Sequence, residues 1–358
     1  MSILHRYILK EIARYFFLIL AMVVGIYLAV DFFEKIDDFM EAGLPVALAG
    51  TYFLLKTPFI LGQILPVGVL LSTLVTFGLM NKNNEWIALK GGGIGVHAFL
   101  FPVLGVGLGF SALLFLIAEI GIPMTMSRAN HIWRIQVRNE SAVASREKNI
   151  WIKSDQFIAH IRYYNPAQKR LHGITLHGFG PNFRLNRRID AEGGYYQNGK
   201  WILINGMEQI FDPQGGNTQT KTFEQNTLAL DLHPEDLQRV VKTSEEMNLF
   251  ELQAYVRKIE AEGYDATVYR VDLNAKIAFP LVCVVMSLLG LGIGLKRSVK
   301  EALPVGIAFG IGAAFLYWIL HSFCLSLGYG EMLPPVLAPW VANFVFLCVA
   351  MINLLHAD

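Results

Sequence analysis

Side chains able to do chemistry are present in this chain, but they are not arranged as a catalyst would need them. The nine histidines, His5, His97, His131, His160, His172, His177, His233, His321 and His356, are scattered without a zinc-ligand pattern. Cys283, Cys324 and Cys348 all fall in uncharged apolar stretches, which argues against both a disulfide framework and a metal site. The run Gly290-Leu-Gly-Ile-Gly-Leu-Lys-Arg-Ser298 has the glycine density of a phosphate-binding loop but lacks its Gly-Lys-Ser/Thr order. Close packing of membrane helices is the better use for those glycines. No catalytic residue, metal or cofactor is expected, and the chain is not read as an enzyme.

Binding chemistry has better candidates. Asn81 to Gly93 carries Asn84 as a cap, Glu85 in a first turn, the short apolar face of Trp86, Ile87 and Leu89, then Lys90 and a glycine stop. It reads either as a polar turn or as a short helix whose acid docks in a groove on another protein. Lys56 and Glu119 sit near the ends of apolar stretches, where snorkelling is cheap, and read as interfacial anchors rather than transport residues. Trp318 and His321 lie one turn apart within another stretch. A lone neutral histidine there is expected to be hydrogen-bonded inside a helix bundle.

The elements that position these residues follow from composition. At 54% hydrophobic and 16% charged residues, with a mean hydropathy of +0.42, the chain is too apolar for an ordinary soluble enzyme of 358 residues. Charge is absent from Tyr15–Val30, Thr57–Met80, Gly91–Ala118, Ile277–Leu295, Ala302–Gly330 and Met332–Leu355. Roughly 20 helical residues cross a ~30 Å hydrocarbon core. Six transmembrane helices are therefore expected, the first completed by Arg14 and Asp31 snorkelling at its ends, and it is read as a retained span rather than a cleaved signal. Arg6, Lys10, Arg14, Lys82, Lys90, Lys296, Arg297 and Lys300 cluster in the N-terminal segment and in the second and fourth connections, whereas Asp31 to Glu41 is acidic. The positive-inside rule then places both termini in the cytoplasm and the long insertion, about Ser127 to Arg270, outside it. A net charge of +1 points to no nucleic-acid partner.

Met1–Ala13 repeats apolar residues at three- and four-residue intervals and could lie along the interface before turning into the membrane. Pro58, Pro66 and Pro102 predict kinks. Beyond Pro123 the pattern becomes period two: Phe157, Ala159, Ile161 and Tyr163 alternate with Ile158, His160, Arg162 and Tyr164. Further strands are predicted at Leu171–Phe179, Arg184–Tyr196, Trp201–Phe211 and Thr218–Leu232, with turns at 197–200 and 212–217, which suggests a sandwich or jelly roll. Asn248-Leu-Phe-Glu251 reads as a capping box opening a helix with Leu249, Leu252, Val256 and Ile259 as its stripe. The expected organisation is residues 1–126 with three spans and a coupling segment at about 83–93, a β domain at 127–247, a helix and connector at 248–270, and three spans at 271–358.

In this order the residues resemble the YjgP/YjgQ permeases, the LptF/LptG family of the lipopolysaccharide exporter. The resemblance is carried by Leu4-His-Arg-Tyr7-Ile, Leu65-Pro66, Asn84-Glu85 with Ala88-Leu-Lys-Gly91, Pro123, Arg128-Ala-Asn130, Asn248-Leu-Phe-Glu-Leu252 and Lys276-Ile-Ala-Phe-Pro280. It implies a periplasmic jelly-roll (β-taco) domain and a heterodimer with an LptF-type permease. An LptB-type ATPase dimer would hydrolyse the ATP, and an LptC-type periplasmic protein would receive the lipopolysaccharide. It also implies that the second connection is the coupling helix, with Glu85, Trp86, Ala88, Leu89 and Lys90 at the ATPase. The substrate path would take in Lys35, Trp318, His321, Phe157, Ala159, Ile161 and Tyr163. The family often carries several lysines at the end of span one, whereas here Lys35 stands alone among Glu34, Asp37, Asp38 and Glu41, and Ala118 replaces a frequent asparagine. A membrane-anchored scaffold for periplasmic partners, or an exporter of another lipid or lipoprotein, are the alternative readings.

Overall fold

The computed structural model describes residues 3–137, 150–153, 157–165, 170–180, 184–197, 199–211, 218–228, 243–261, 265–296 and 302–356. Uncharged apolar sequence builds helices α1 (Ile3–Glu41), α2 (Val46–Lys82), a short α3 (Glu85–Gly91), α4 (His97–Leu116) and α5 (Ile122–His131). After a β region come α6 (Leu249–Ala261), α7 (Thr267–Ala278), α8 (Val282–Gly294), α9 (Leu303–Tyr329) and α10 (Ala338–Leu355). Five helices are long and apolar enough to cross a membrane, and the pair α7–α8, bent by 49°, makes a sixth if counted as one span. This is the helical membrane protein with an inserted β domain that the hydropathy pattern predicts.

Two expectations about the helices need correction, and one span carries a break not foreseen from the sequence. The N-terminal segment does not turn along an interface: α1 is unbroken from Ile3, because Ile8, Ile12 and Phe16 continue one buried stripe into the apolar stretch. At 39 residues it measures about 58 Å, far more than the hydrocarbon core requires. The helix of span three likewise does not stop at Pro123. A π-turn at Ile117–Gly121 leads into α5, and a second at Ile132–Val137 follows it. Span four is interrupted at Phe279-Pro280-Leu281, where proline cannot donate the hydrogen bond that would continue α7. Pro58, Pro66 and Pro102 lie inside continuous helices α2 and α4.

The chain divides into two compact units, residues 1–130 with 243–358, and residues 131–242. In the first, α8 is the central helix: from Val282 to Gly294 every residue except Val284 is buried. The glycine run makes this possible. A Cβ at Gly290 would lie 2.6 Å from the Leu70 carbonyl oxygen, and one at Gly294 would lie 2.9 Å from that of Leu74, so α2 and α8 meet backbone to backbone.

The second unit contains strands β1 (Ile150–Lys153), β2 (Phe157–Asn165), β3 (Arg170–Phe179), β4 (Leu185–Gln197), β5 (Lys200–Phe211) and β6 (Thr218–Leu228). They form one antiparallel sheet in sequential order, and no crossover is present among the described residues. β1 is an addition to the strands expected from sequence. The turn at 212–217 and the predicted end of the last strand at 229–232 lie outside the described residues.

Strict alternation fails at a crease across this sheet. Buried positions step by three in two adjacent strands, from Leu171 to Ile174 and from Ala191 to Gly194. Gly173, at φ +66°, lies at the step in β3, and Asn205, at φ 49°, lies beside the corresponding place in β5. The steps are in register, since Leu171 pairs with Gly194 and Gly194 with Leu203, while Ile174 pairs with Ala191 and Ala191 with Gly206. A residue in the left-handed region turns the strand without an inserted residue, so both halves deliver side chains to one cluster around the fully buried Trp201.

Candidate functional site

Gly43, at φ +68°, and Pro45 reverse the chain between α1 and α2, so the two helices run antiparallel from their connection. That reversal brings Lys56 of α2 against α1. Its Nζ lies 2.9 Å from each carboxylate oxygen of Asp31, and Lys35, one turn along α1, lies 2.9 Å from Asp31 Oδ1. Lys35 also donates to Tyr52 Oη at 3.4 Å. Asp31 is 6% exposed, so it does not snorkel at a helix end, and Lys56 is no simple anchor. Their contact joins residues 25 positions apart and so leaves no mark in the local sequence. One carboxylate between two ammonium groups leaves a net positive charge in low-dielectric surroundings. A buried pair roughly breaks even against its own desolvation, so the cluster is not explained as a stabilising device alone.

The middle of α1 is largely exposed. None of residues 17–30 is buried, and Phe17, Leu18, Met22, Ile26 and Val30 are all exposed apolar side chains. α1 is thus held at Ile8–Phe16, with Leu20 also on the core cluster, and at Asp31–Phe39, with a largely exposed apolar stretch between. α9 is similarly open: its most apolar window is 22% buried, against 17% for α1 and 72% for α2.

At the other end of α2, Asn84 occupies the position before α3 with a left-handed backbone, φ 63°. Its side chain makes no cap bond, which corrects the expected capping role; the residue serves by tolerating that conformation. Trp86 turns inward, 5% exposed, with its ring 5.4 Å from Phe99. It anchors α3 on the bundle together with half-buried Leu89, while Ala88, Lys90 and Ile87 are exposed, so Ile87 does not share the buried face expected of it. Lys90 Nζ lies 5.9 Å over the Trp86 ring. Tyr7 of α1 donates to Glu85 Oε2 at 3.2 Å. Gly92 and Gly93, the latter at φ +82°, end the helix as expected. Asn81, just before, donates to the Leu295 and Lys296 carbonyls at 3.0 Å each, closing the end of α8.

His321 is 4% exposed and stacked on Tyr317 with centroids 5.6 Å apart and planes at 11°. Phe279 and Trp318 flank it at 5.7 and 6.2 Å. Its Nδ1 has no hydrogen-bond partner among the described residues, contrary to expectation. The polar group that does connect this region is Asn343, which sequence reasoning missed although it is one of two asparagines, with Asn353, in an apolar stretch. It accepts from Tyr317 Oη at 2.7 Å and donates at 2.7 Å to the Ala278 carbonyl, freed where α7 breaks.

Glu119, in the first π-turn, accepts the Leu249 N–H at 2.9 Å with both oxygens, so it docks the start of α6 rather than merely anchoring span three. The predicted capping box is present beside it: Asn248 Oδ1 accepts the Glu251 N–H at 2.8 Å, and Glu251 accepts that of Asn248 at 3.3 Å. In the sheet, Ala159 and Ile161 are fully buried, and half-buried Phe157 packs on the same cluster. The side chain of Tyr163 lies outside the described part, although its backbone pairs with His172. On the opposite face Thr175 Oγ1 donates to Asp190 at 2.7 Å and Arg188 pairs with it at 2.7 Å. Partial burial raises the Asp190 pKa, but these hydrogen bonds and the Arg188 charge outweigh it and hold the carboxyl below its ordinary range. No group of metal-binding residues is present among the described residues.

Residues 6–356 match the family described as the lipopolysaccharide export system permease LptF/LptG. Two curated relatives carry the name lipopolysaccharide export system permease protein LptG, one from Escherichia coli strain K12 and one from Escherichia coli O6:H1 strain CFT073. Each is 24% identical over 360 residues, spanning 98% of this chain and 97% of the relative. With apolar spans, an inserted antiparallel sheet and a family match from Arg6 to His356, the chain belongs to the LptF/LptG family of lipopolysaccharide export permeases.

Proposed function

We propose that this chain works as an LptG-type permease subunit, taking lipopolysaccharide from the outer leaflet of the bacterial inner membrane and passing it to a periplasmic bridge. Its partners are an LptF-type permease, an LptC-type periplasmic protein and an LptB-type ATPase dimer, in which ATP is hydrolysed. The observation that carries this reading is the Asp31–Lys35–Lys56 cluster, a net cation beside the largely exposed apolar middle of α1. An anionic lipid needs both: apolar surface for acyl chains and a cation for its phosphates.

Other features support the reading. Exposed α1 and α9 suit lateral entry of lipid between spans one and five of opposite subunits. Half-buried Trp318 borders that path from α9, with buried His321 packed behind it. Arg6, Lys82, Lys90 and Lys296 gather at the end of the bundle where α3 lies, as a cytoplasmic face requires. Glu85, Ala88, Leu89 and Lys90 then contact the ATPase, with Trp86 as the inward anchor of the coupling helix. The β sheet is periplasmic, and Phe157, Ala159, Ile161 and Tyr163 meet acyl chains once the cluster around Trp201 parts.

Depletion of the protein in cells tests this directly. Newly made lipopolysaccharide should stall in the inner membrane. Normal transit would sink the reading, co-purification without an ATPase subunit would indicate a scaffold, and a different bound lipid by mass spectrometry would indicate another cargo.

A further inference from the structure

The hydrogen bond from Tyr7 to Glu85 joins two elements that are far apart in the chain, the start of span one and the short helix α3. Only one Glu85 oxygen, Oε2, takes that bond. The bond does not stand alone. Ile8 and Ile12, on the same end of α1, are fully buried in the apolar cluster that also holds Trp86 and Phe99. His5 lies 5.9 Å from Phe101, ring to ring, at the start of α4. From this end α1 continues without a break, and about 42 Å of helix separates Tyr7 from Lys35. The next firm grip is Phe16, whose ring is 4.1 Å from that of Phe110, and beyond it no residue up to Val30 is buried.

An unbroken helix held at Ile8–Phe16 and again at Asp31–Phe39, with a largely exposed stretch between, can carry a displacement from one grip to the other. We propose that Tyr7 is a positioning residue for Glu85, orienting its carboxylate and passing movement of α3 directly into span one, and so to the Asp31–Lys35–Lys56 cluster. This rests on the reading of α3 as the contact with an ATPase. Span one would otherwise receive that movement only through packing, since the chain connects α3 directly to spans two and three alone. A phenol hydroxyl on a carboxylate is a charge-assisted bond, directional enough to hold both groups in one geometry.

The test uses the full chain assembled with its ATPase and partner permease in lipid vesicles containing lipopolysaccharide. Spin labels at Phe33→Cys on α1 and Leu54→Cys on α2, both exposed positions, on a Cys348→Ser background, report the distance between these helices with and without ATP. A nucleotide-dependent change is expected in the otherwise unaltered chain. Tyr7→Phe removes one oxygen and should abolish that change and lower lipid moved per ATP by about tenfold, the size of one hydrogen bond to a charged group, while ATP turnover and the unfolding midpoint stay the same. Adding Glu85→Gln to Tyr7→Phe should bring no further loss of the distance change. A distance change that survives Tyr7→Phe, or one absent from the unaltered chain, overturns the proposal. Movement of the labels without any lipopolysaccharide release would instead sink the cargo assignment and leave the Tyr7 linkage standing.

Discussion

Lys56 and Asp31, on different helices, meet at 2.9 Å, and Lys35 meets the same carboxylate from the other side. Removing the shared acid leaves two cations facing one another in a mostly buried place, whereas removing either lysine leaves a simple ion pair. Asp31→Asn should therefore cost about 3 kcal/mol, and Lys56→Met or Lys35→Met less than about 1 kcal/mol. Thermal unfolding in detergent gives the order, and an Asp31 variant as stable as the lysine variants would contradict the geometry. If the surplus charge serves lipid phosphate, both lysine variants should lose export while remaining folded.

Charge reversal at Glu85 tests coupling. As a mere surface residue it should tolerate Glu85→Lys within about 0.5 kcal/mol of stability and leave export intact. As a contact for a basic groove it exchanges attraction for repulsion, so export should fail at normal protein levels. An acidic substitution in the ATPase groove should partly restore it.

Orientation has its own check. In spheroplasts, Thr222→Cys on the exposed edge of β6 should react with a membrane-impermeant thiol reagent, and Asn83→Cys beside α3 should not. Labelling of position 83 from outside would invert the whole arrangement.

For the acyl path, a photo-crosslinking residue at positions 157, 159 and 161 should capture lipid, and at 158 and 160 should not. Capture at every position, or at none, would mark the cluster around Trp201 as an ordinary filled core.

The sheet should weaken in acid. Asp190 has a folded pKa below its unfolded one, so its contribution to stability is complete above the ordinary carboxylate range and is lost as pH falls through the lowered value, from about pH 4 downward. Infrared melting of the sheet followed from neutral pH into that range should show the loss, and Asp190→Asn should flatten it.

Hydropathy by itself determined the class of this protein, because a hydrocarbon core admits only long uncharged helices and their lengths are legible residue by residue. Local signals were equally direct where the partners are neighbours: Asn248 with Glu251, the glycine stop after α3, and the strand from Phe157. Contacts between distant residues were not legible. Asp31, Lys56 and Glu119 each looked like an end-of-helix charge, and only the α1–α2 reversal and the docking of α6 supplied their partners. Asn343 had no visible purpose until the break at Pro280 exposed the Ala278 carbonyl, and the crease through Gly173 and Asn205 shifted the phase of an alternation that sequence shows as continuous. Periodicity records which face of an element is buried, but which polar groups meet across elements depends on packing that brings residues together over any sequence distance.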